Sequence, residues 1–432
     1  MKILVISSHE QQYGGGEGRV AFEFAVEMSR RHDVVLMYPG TAPESLPAGA
    51  RLRVYPIRSI DYIVPALTGG EFQAIFRFLS SFKPDVIHSH TPWLLGAIIQ
   101  AWAFVKGVPF YFTAHELPSK ILEWGLVRYM KGMSRTGLLH AVTRTYLATF
   151  CRHCTAVVAL NRPAAEDIRS IGYRGRIAVI PNGRTLSDYN GSVPADILRG
   201  EKILTFTGDF YPRKNQKYLV EMLSHLPQEY KLLLIGHDVD HQYRREIDAA
   251  IGPELRRRVM FTGKLDHSRI PAQLARTHLW VSASRMEVQS LAVLEALASG
   301  TPVLGLSNET IDELVDGRVG MKLPKDATPE EFARAVRSLL ETNGDAYKDM
   351  CRDARKRVAR YDWSNNVRLT EKMYAGAGPL GSRNPRGVLP ITLFFAAGQM
   401  LLAMLMYLIL QILNILERLP QGREVHVTVR RT

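Results

Sequence analysis

Two glutamates in the second half of the chain have the surroundings of functional carboxylates. Glu287 lies in a stretch that predicts a loop, and Glu295 follows eight residues later in an apolar run that predicts a helix. A carboxylate among apolar side chains is costly to bury unless it meets hydrogen-bond donors. The hydroxyl groups of a hexose and a ribose would supply such donors. Spacing alone leaves a salt-bridged helix face as an open alternative.

Arg213 and Lys214 form a second candidate group. They follow the first predicted strand of the second half, at a strand–helix junction within residues 208–215. Two adjacent cations there would point into the crevice beyond the sheet. They would stabilise the negative charge that grows on a diphosphate leaving group as a glycosidic bond breaks. A solvated pair of charges is the alternative interpretation, and this segment alone does not separate the two.

A glycine run, residues 14–18, follows the first predicted strand and precedes a predicted helix over residues 19–31. Glycines allow the backbone to approach a phosphate, and the start of a helix offers unpaired N–H donors. A dinucleotide fingerprint would need a third glycine where Arg19 stands, and an acid at the end of the second strand. Asp33 opens that strand instead, which disfavours NAD. A phosphate-binding turn at Gly15 and Gly16 and a plain tight turn both remain open.

These groups need elements to position them, and the chain supplies a regular series. Short apolar runs of strand length alternate with amphipathic helices up to residue 375. The predicted strands cover residues 2–7, 34–38, 86–88, 110–113 and 156–159 in the first half, and residues 203–207, 231–235, 259–262, 279–282 and 301–306 in the second. Such alternation predicts an α/β fold with parallel sheets covered on both faces.

The series of strands and helices is interrupted over residues 184–200, which show no clear apolar periodicity. We interpret these residues as a linker. We therefore expect two Rossmann-like domains, residues 1–184 on the acceptor side and residues 185–375 on the nucleotide-sugar side. Ligands of such sheets bind beyond the carboxyl ends of the strands. The two sheets are expected to face each other across a cleft, with the candidate residues on its walls.

The C-terminal end has a different composition. Residues 376–390 are rich in glycine, proline and serine and predict a flexible linker. Residues 391–416 are largely apolar, and the first twenty of them would cross a hydrocarbon core of about 30 Å as a helix. We expect a membrane-anchoring helix there, followed by a basic tail over residues 417–432. Arginines flank the apolar segment on both sides, so a re-entrant anchor and a spanning one both remain open.

Charge and cysteine content narrow the partners and the compartment. The formal net charge is +13, from 55 basic and 42 acidic residues. The basic residues are interleaved with apolar ones, which favours a phosphate ligand and an anionic membrane surface over nucleic acid. Three cysteines give no disulfide framework, so we expect the catalytic domains to face the cytoplasm. Asp238 and Asp240 form a D-x-D that could hold a metal, but we interpret them as loop acids and expect no metal site.

The run over residues 284–303 resembles the E-x7-E signature of family 4 retaining glycosyltransferases of the GT-B fold. Other segments agree with that family in order along roughly residues 1–375. They are the glycine turn, residues 85–90, 113–116, 180–183, 212–214 and 310–315, Gly317 and Gly320. The stretch from His115 to Gly183 is similar to the subgroup that glycosylates membrane lipids, such as diacylglycerol glucosyltransferases and phosphatidylinositol mannosyltransferases.

The resemblance implies a role for each candidate. Arg213 and Lys214 would clamp the diphosphate, and Glu295 would bind the ribose. Glu287 would hold the hydroxyls of the donor sugar, and His115 would lie beside the reacting sugar. Gly15, Gly16 and Leu291 would complete the donor-binding set. In such enzymes the departing phosphate oxygen is thought to take the acceptor's proton, with neither a metal nor any cofactor beyond the nucleotide-diphosphate sugar as co-substrate.

The expected function is transfer of a hexose from a nucleotide sugar to a lipid or lipid-linked acceptor at the cell membrane. Three positions depart from the family pattern: Asp209 replaces a usual arginine, and Val288 and Ser290 replace usual glycines. These departures keep open a catalytically inactive protein that binds nucleotide sugars or acts as a scaffold. A transferase acting on a soluble or polyprenyl-linked glycan is a third possibility.

Overall fold

The structure is a computed structural model. It describes residues 1–9, 15–43, 46–47, 49–61, 64–65, 68–120, 136–189 and 200–376, and the isolated residues 398, 401 and 408. Two parallel sheets, one in each half of the chain, carry the fold. This arrangement confirms the prediction of two Rossmann-like units.

The first sheet has seven strands in the order β3-β2-β1-β6-β7-β8-β9. In chain order the strands of this half are β1 (Lys2–Ile6), β2 (Asp33–Pro39), β3 (Arg53–Ile57), β4 (Ser59–Asp61), β5 (Val64–Pro65), β6 (Val86–Ser89), β7 (Phe110–Ala114), β8 (Ala156–Ala159) and β9 (Ile177–Val179). Strands β4 and β5 form a separate antiparallel pair. Helices cover both faces of the sheet, so its central strands β6, β7 and β8 are buried along their whole length.

The helices of the first half are α1 (Gly15–Ser29), α2 (Gly69–Phe82), α3 (Leu94–Lys106), α4 (Thr136–Arg152) and α5 (Arg162–Ser170). Helix α1 begins at Gly15, four residues before the predicted start. The glycine run therefore supplies the first turn of this helix, whose leading N–H groups have no partner within the helix. A Cβ atom at Gly16 would meet nothing within 4 Å, so crowding does not require glycine at that position.

The second sheet has six strands in the order β12-β11-β10-β13-β14-β15. Its strands are β10 (Lys202–Thr207), β11 (Tyr230–Ile235), β12 (Val259–Gly263), β13 (Leu279–Ser282), β14 (Val303–Leu306) and β15 (Gly320–Leu323). The helices of this half are α6 (Gln216–Ser224), α7 (His241–Ala250), α8 (Ile270–Leu274), α9 (Leu291–Ala298), α10 (Glu309–Leu314), α11 (Pro329–Leu340), α12 (Gly344–Val358) and α13 (Trp363–Ala375).

Helix α13 follows the second sheet in the chain but packs against the first unit. We assigned residues 185–375 to the second domain, but α13 packs against the first. Its buried side chains Trp363, Val367 and Tyr374 share an apolar cluster with residues of α1 and of the first sheet. A Cβ atom at Gly183 would lie 2.1 Å from the Trp363 ring, so this contact requires glycine there. After forming the second sheet, the chain thus comes back to the first unit, where the apolar face of α13 is buried.

The membrane prediction concerns a part of the chain that the structure barely describes. Apart from residues 398, 401 and 408, the predicted membrane segment 391–416 lies outside the described residues, as do residues 377–390 and the tail 417–432. Among the described helices, none combines the length and the apolar character that crossing a bilayer requires.

The packing of α13 gives the first testable prediction. Trp363→Ala should lower the free energy of unfolding of the first unit by about 3–5 kcal/mol, because it empties a buried site in the apolar cluster that α13 shares with that unit. Arg368→Ala, at an exposed position of the same helix, is the matched control and should change stability little. Denaturant unfolding followed by circular dichroism measures both. Equal stability of the two variants would show that α13 does not belong to the core of the first unit.

Candidate active site between the facing strand ends

The candidate residues lie where each sheet changes direction of winding. In the first sheet β1 and β6 are neighbours but not consecutive in the chain, and in the second sheet β10 and β13 are in the same position. Connections leave such a pair toward opposite sides, so a crevice opens beyond the carboxyl ends of the two strands. His90 follows β6, the segment containing Arg213 and Lys214 follows β10, and Glu287 follows β13.

The loop after β10 presents Lys214 to the crevice. Gly208 has φ 151°, a conformation that side chains disfavour, and its N–H donates to the Ile235 carbonyl at 2.8 Å. The chain then forms a short 3₁₀ turn, Pro212–Lys214. The Lys214 ammonium forms an ion pair with the Glu287 carboxylate. The predicted phosphate-binding cation and the predicted sugar-binding carboxylate are therefore in direct contact.

Lys214 and Glu287 each shift the pKa of the other. Burial lowers the pKa of Lys214 below its usual value, against the opposing effect of the Glu287 carboxylate. For Glu287, burial acts to raise the pKa, but Lys214 and then Arg213 outweigh it and hold the pKa below its usual range. The lowered pKa of Glu287 keeps its carboxylate ionised at neutral pH. An anionic ligand that binds Lys214 must compete with Glu287 or rearrange it.

Asp209, which departs from the family pattern, supports the backbone of this loop. Its carboxylate accepts a hydrogen bond from the His237 N–H at 3.2 Å, and its carbonyl accepts one from Gln216 Nε2 at 3.0 Å. These bonds tie the loop after β10 to the loop after β11 and to α6. Asp209 therefore shapes the position of the cations.

Glu295 is buried on α9, with 3% of its surface exposed. Its Oε1 forms an ion pair with Arg184 Nη2 at 2.8 Å and accepts a hydrogen bond from Arg19 Nη1 at 3.4 Å. The buried acid has the donors that the sequence analysis required, but they are two arginines outside the second sheet. Leu291, at the start of the same helix, is half-buried and packs against the cores of both units.

The two arginines also bind Glu23 on α1. Arg184 Nη1 lies 2.6 Å from Glu23 Oε1, and Arg19 Nε lies 2.8 Å from the same oxygen. Burial acts to raise the pKa of Glu23, and the charges of Arg184 and Arg19 reverse that effect and lower it. Arg19 also contacts the ring of His267, where burial and then the Arg19 charge lower the pKa of His267 to about 3. This arginine–glutamate network joins α1, the segment after β9 and α9.

His115 lies on the first-domain wall, after β7, and is hydrogen-bonded to a second histidine. His90 Nδ1 lies 2.8 Å from His115 Nε2, and the two rings stack with centroids 5.1 Å apart. Burial lowers the pKa of His115 to about 4, and burial lowers the pKa of His88, behind the pair, to about 3. All of these imidazoles are neutral at physiological pH. His115 can therefore exchange hydrogen bonds with a sugar without presenting a cation to it.

His115 and His90 line an open cavity of about 370 Å³, together with Glu17, Glu116, Phe112 and Leu147. Glu17, in the first turn of α1, accepts from the Ser8 N–H at 3.1 Å and from Ser8 Oγ at 2.8 Å. Loss of solvation within the crevice, and then the Glu17 charge, raise the pKa of Glu116 to about 7. Glu116 itself is exposed at this edge of the cavity.

The acids of the D-x-D have structural partners. Both carboxylate oxygens of Asp238 lie 3.0 Å from Arg244 Nη1. Asp240 caps α7 by accepting from the Tyr243 N–H at 2.9 Å. Across the described part of the chain, no three side chains of the metal-binding types come together at ligand distances.

Sequence reasoning missed three residues of this region. His90 belongs to the segment 85–90 that carries the family resemblance, but it received no role. Arg19 entered only as a mismatch to a dinucleotide fingerprint, although its spacing from Glu23 places the two on one helix face. Arg184 marked only the edge of the linker, and nothing in its local sequence indicates a partner 111 residues away on α9.

Two family models match the chain, one in each half. The model of Glycosyltransferase Family 4 matches residues 14–188, and the model of Glycosyl transferases group 1 matches residues 201–342. With the two facing parallel sheets, these matches define a glycosyltransferase of the GT-B fold. The chain belongs to glycosyltransferase family 4, whose members take the sugar from a nucleotide.

The named relatives of this chain transfer sugars to different acceptors. The chain is 27% identical over 319 residues to a glycogen synthase of Mycobacterium tuberculosis, which covers 72% of this chain and 73% of the relative. It is 25% identical over 264 residues to an alpha-monoglucosyldiacylglycerol synthase of Streptococcus pneumoniae, which covers 57% of each. Anabaena HepE, solved with UDP and glucose, superposes with a TM-score of 0.71 at 18% identity, over 87% of this chain and 99% of HepE. This last likeness shows the shared fold, and the relatives' names leave the acceptor open.

The arginine–glutamate network gives a prediction with a defined pH dependence. Glu23→Gln should lower the free energy of unfolding at pH 7 by about 3 kcal/mol, because Arg184 stays buried without part of its counter-charge. The lowered pKa of Glu23 means that its stabilisation is complete above the usual value of 4.5 and is lost as the pH falls through the folded-state pKa. The difference between wild type and variant should therefore shrink in acid.

Glu27→Gln is the matched control on the same helix. Glu27 pairs with Arg30, half of whose side chain is exposed, so its loss should cost less than about 1 kcal/mol. Chemical denaturation between pH 7 and pH 3 measures the three proteins. A Glu23→Gln effect that stays constant over that range would contradict the assignment of a charged, buried Glu23.

Proposed function

We propose that this glycosyltransferase moves a hexose from a nucleoside-diphosphate sugar to a lipid or lipid-linked acceptor at a membrane, with retention of configuration and without a metal. The contact between Lys214 and Glu287 carries the donor half of this proposal. In a nucleotide sugar, one oxygen joins the anomeric carbon to the distal phosphate. A cation that binds that phosphate and a carboxylate that binds that sugar must therefore be neighbours. Lys214 and Glu287 are neighbours of this kind.

In the proposed complex, Arg213 and Lys214 bind the diphosphate and stabilise the charge that develops on it. Glu287 turns to the hydroxyls of the donor sugar when the phosphate takes its place beside Lys214. Glu295 and Leu291 bind the ribose, and the start of α1 at Gly15 and Gly16 approaches the phosphates from the opposite wall. His115 contacts the reacting sugar as a neutral imidazole, and the departing phosphate oxygen takes the acceptor's proton.

The donor proposed for the first assay is a uridine nucleotide. HepE, which has the same fold, was solved with UDP-glucose, and the match covers 87% of this chain. Identity of 18% supports a choice of assay and not an assignment of the base or sugar. GDP-mannose and UDP-galactose complete the donor panel.

The lipid acceptor and the membrane location rest on other observations. A surplus of basic charge, +13, suits an anionic membrane surface. Leu401 and Leu408, in the predicted membrane segment, are 70% and 55% exposed, which suits contact with lipid more than with water. The cysteines Cys151, Cys154 and Cys351 are free, as expected for domains that face a reducing cytoplasm.

Glu287→Gln tests catalysis against mere binding. The variant keeps the size of the side chain but removes its charge, so turnover should fall at least about 100-fold, since charge that develops at the sugar is no longer stabilised. Affinity for the nucleoside diphosphate should change little. Product formation from the donor panel and membrane lipid extract, followed by mass spectrometry, measures turnover, and calorimetry measures affinity.

Two comparisons make that result interpretable. Glu295→Gln should weaken nucleotide binding instead, through the ribose, and its folding is checked first by denaturation because Glu295 also neutralises Arg184. Glu330→Gln, at an exposed position of α11, should change neither quantity. A wild-type protein that binds nucleotide but neither transfers nor hydrolyses any donor would support the inactive alternative. Normal turnover by Glu287→Gln would remove its catalytic role.

A truncation tests the membrane anchor. A chain that ends at Gly376 keeps α13 complete, so it should stay folded and bind nucleotide as the full chain does. Its binding to vesicles of phosphatidylcholine and phosphatidylglycerol should fall at least about 10-fold, because the apolar segment supplies the insertion energy. Cosedimentation measures the difference. Equal binding by both chains would place the membrane contact within residues 1–376.

A further inference from the structure

The loop that carries Glu287 is held from both sides of the crevice. We call residues 284–290, between β13 and α9, the donor loop. On the second-domain side, Thr310 Oγ1 donates to the Glu287 carbonyl at 3.2 Å and accepts from the Ser290 N–H at 2.9 Å. Asn308 Nδ2 donates to the Ser284 carbonyl at 3.0 Å. These contacts belong to the domain in which the loop lies in sequence.

The two residues between those anchor points bind the other domain. Asn161 Nδ2, at the end of β8, donates to the Val288 carbonyl at 2.6 Å. Gln289 Oε1 accepts from the Asn182 N–H at 2.6 Å, and Gln289 Nε2 donates to the Leu160 carbonyl at 3.4 Å. Both partners of each of these bonds are buried, with exposed fractions of 8% or less.

Apolar packing reinforces the same attachment. The Val288 side chain is a buried member of the apolar core of the first domain, and Met286 packs against that core from its edge. The loop is thus shared between the two domains. Glu287 and Ser290 are bonded to α10, whereas Met286, Val288 and Gln289 engage the first domain. A peptide held from two sides over five consecutive residues has little freedom to shift.

A separate ion pair crosses the crevice near the loop. Lys120 Nζ, in the first domain, lies 2.7 Å from Glu309 Oε1, and the other oxygen of Glu309 accepts from the Glu287 N–H at 3.4 Å. The first domain therefore reaches the backbone of Glu287 both through Val288 and Gln289 and through Glu309.

We propose that Asn161 and Gln289 are positioning residues, which fix Glu287 over the crevice by clasping the donor loop to the first domain. This rests on the proposed function of Glu287. The productive position of the donor-sugar carboxylate is then a property of both domains. Loosening the clasp should impair the placement of the sugar more than the binding of the nucleotide, whose phosphates meet the loop after β10.

Asn161→Ser is the variant that the structure favours. Asn161 also caps α5 by accepting from the Ala164 N–H at 2.9 Å, and serine retains that cap while losing the reach to Val288. Asn343→Ser is the matched control, because exposed Asn343 caps α12 in the same way and makes its bond within the second domain, to the Ala346 N–H at 2.8 Å. Gln289→Met, which keeps the length of the side chain and removes both of its bonds, is the second test variant.

Amide hydrogen exchange of the full-length protein measures how firmly the clasp holds the donor loop, and it needs no substrate. Exchange of peptides covering residues 284–290 should accelerate about 10-fold in Asn161→Ser and Gln289→Met, as expected from the loss of one or two hydrogen bonds, and not in Asn343→Ser. Turnover number in sugar transfer should fall about 10-fold in the same two variants, while affinity for UDP stays within about twofold of wild type.

The outcomes separate the two proposals. Unchanged exchange in both test variants would overturn the clasp. Faster exchange with an unchanged turnover number, or with an equal loss of UDP affinity, would overturn the positioning role. Absence of sugar transfer by the wild type would overturn the proposed function, and exchange would still decide whether the clasp exists.

Discussion

A buried carboxylate has to be neutralised, and the meeting of the two halves of this chain follows from that requirement. Glu295 lies in the apolar core helix of the second domain, and its counter-charges come from the other side of the interface. Arg184 reaches it from the segment after β9, and that segment is fixed in turn to Glu23 and to the Tyr361 carbonyl. Removal of one member leaves a buried charge with only part of its compensation, which is a costly change in a core. The relative position of the domains is therefore specified by charge as much as by packing.

The same reasoning explains why α13 belongs to the first unit. The indole N–H of Trp363 donates to Glu23 Oε2 at 3.2 Å, so the helix that follows the second domain supplies another donor to the arginine–glutamate network. Its apolar face covers α1 next to that network. The sequence pattern correctly predicted a helix here, but a periodic apolar face indicates only that a helix is covered, and not by which domain.

The sequence predicts the strands and helices better than it predicts contacts between residues that are far apart in the chain. The parallel strands were predictable because burial on both faces requires an unbroken apolar run, and β13 has the predicted bounds, residues 279–282. The positions of Arg213, Lys214 and Glu287 at strand ends followed from the same alternation. The contact between Lys214 and Glu287 did not, because it joins loops 73 residues apart. His90 was hidden for the same reason, since its partner His115 belongs to a neighbouring strand end.

The two walls of the crevice differ in the charged groups that they carry. One wall has an ion pair and the other has neutral histidines, which suits transfer of a neutral sugar from an anionic carrier. The second-domain wall pairs Lys214 with Glu287, so a phosphate that binds this lysine takes the place of a carboxylate. The first-domain wall keeps His88, His90 and His115 neutral through burial, and it holds a carboxyl, Glu116, whose pKa is raised to about 7. An acceptor on that side meets donors and acceptors of hydrogen bonds rather than fixed cations. Because the donor loop is bonded to both walls, a movement of one domain changes the surroundings of both ends of the bond to be broken.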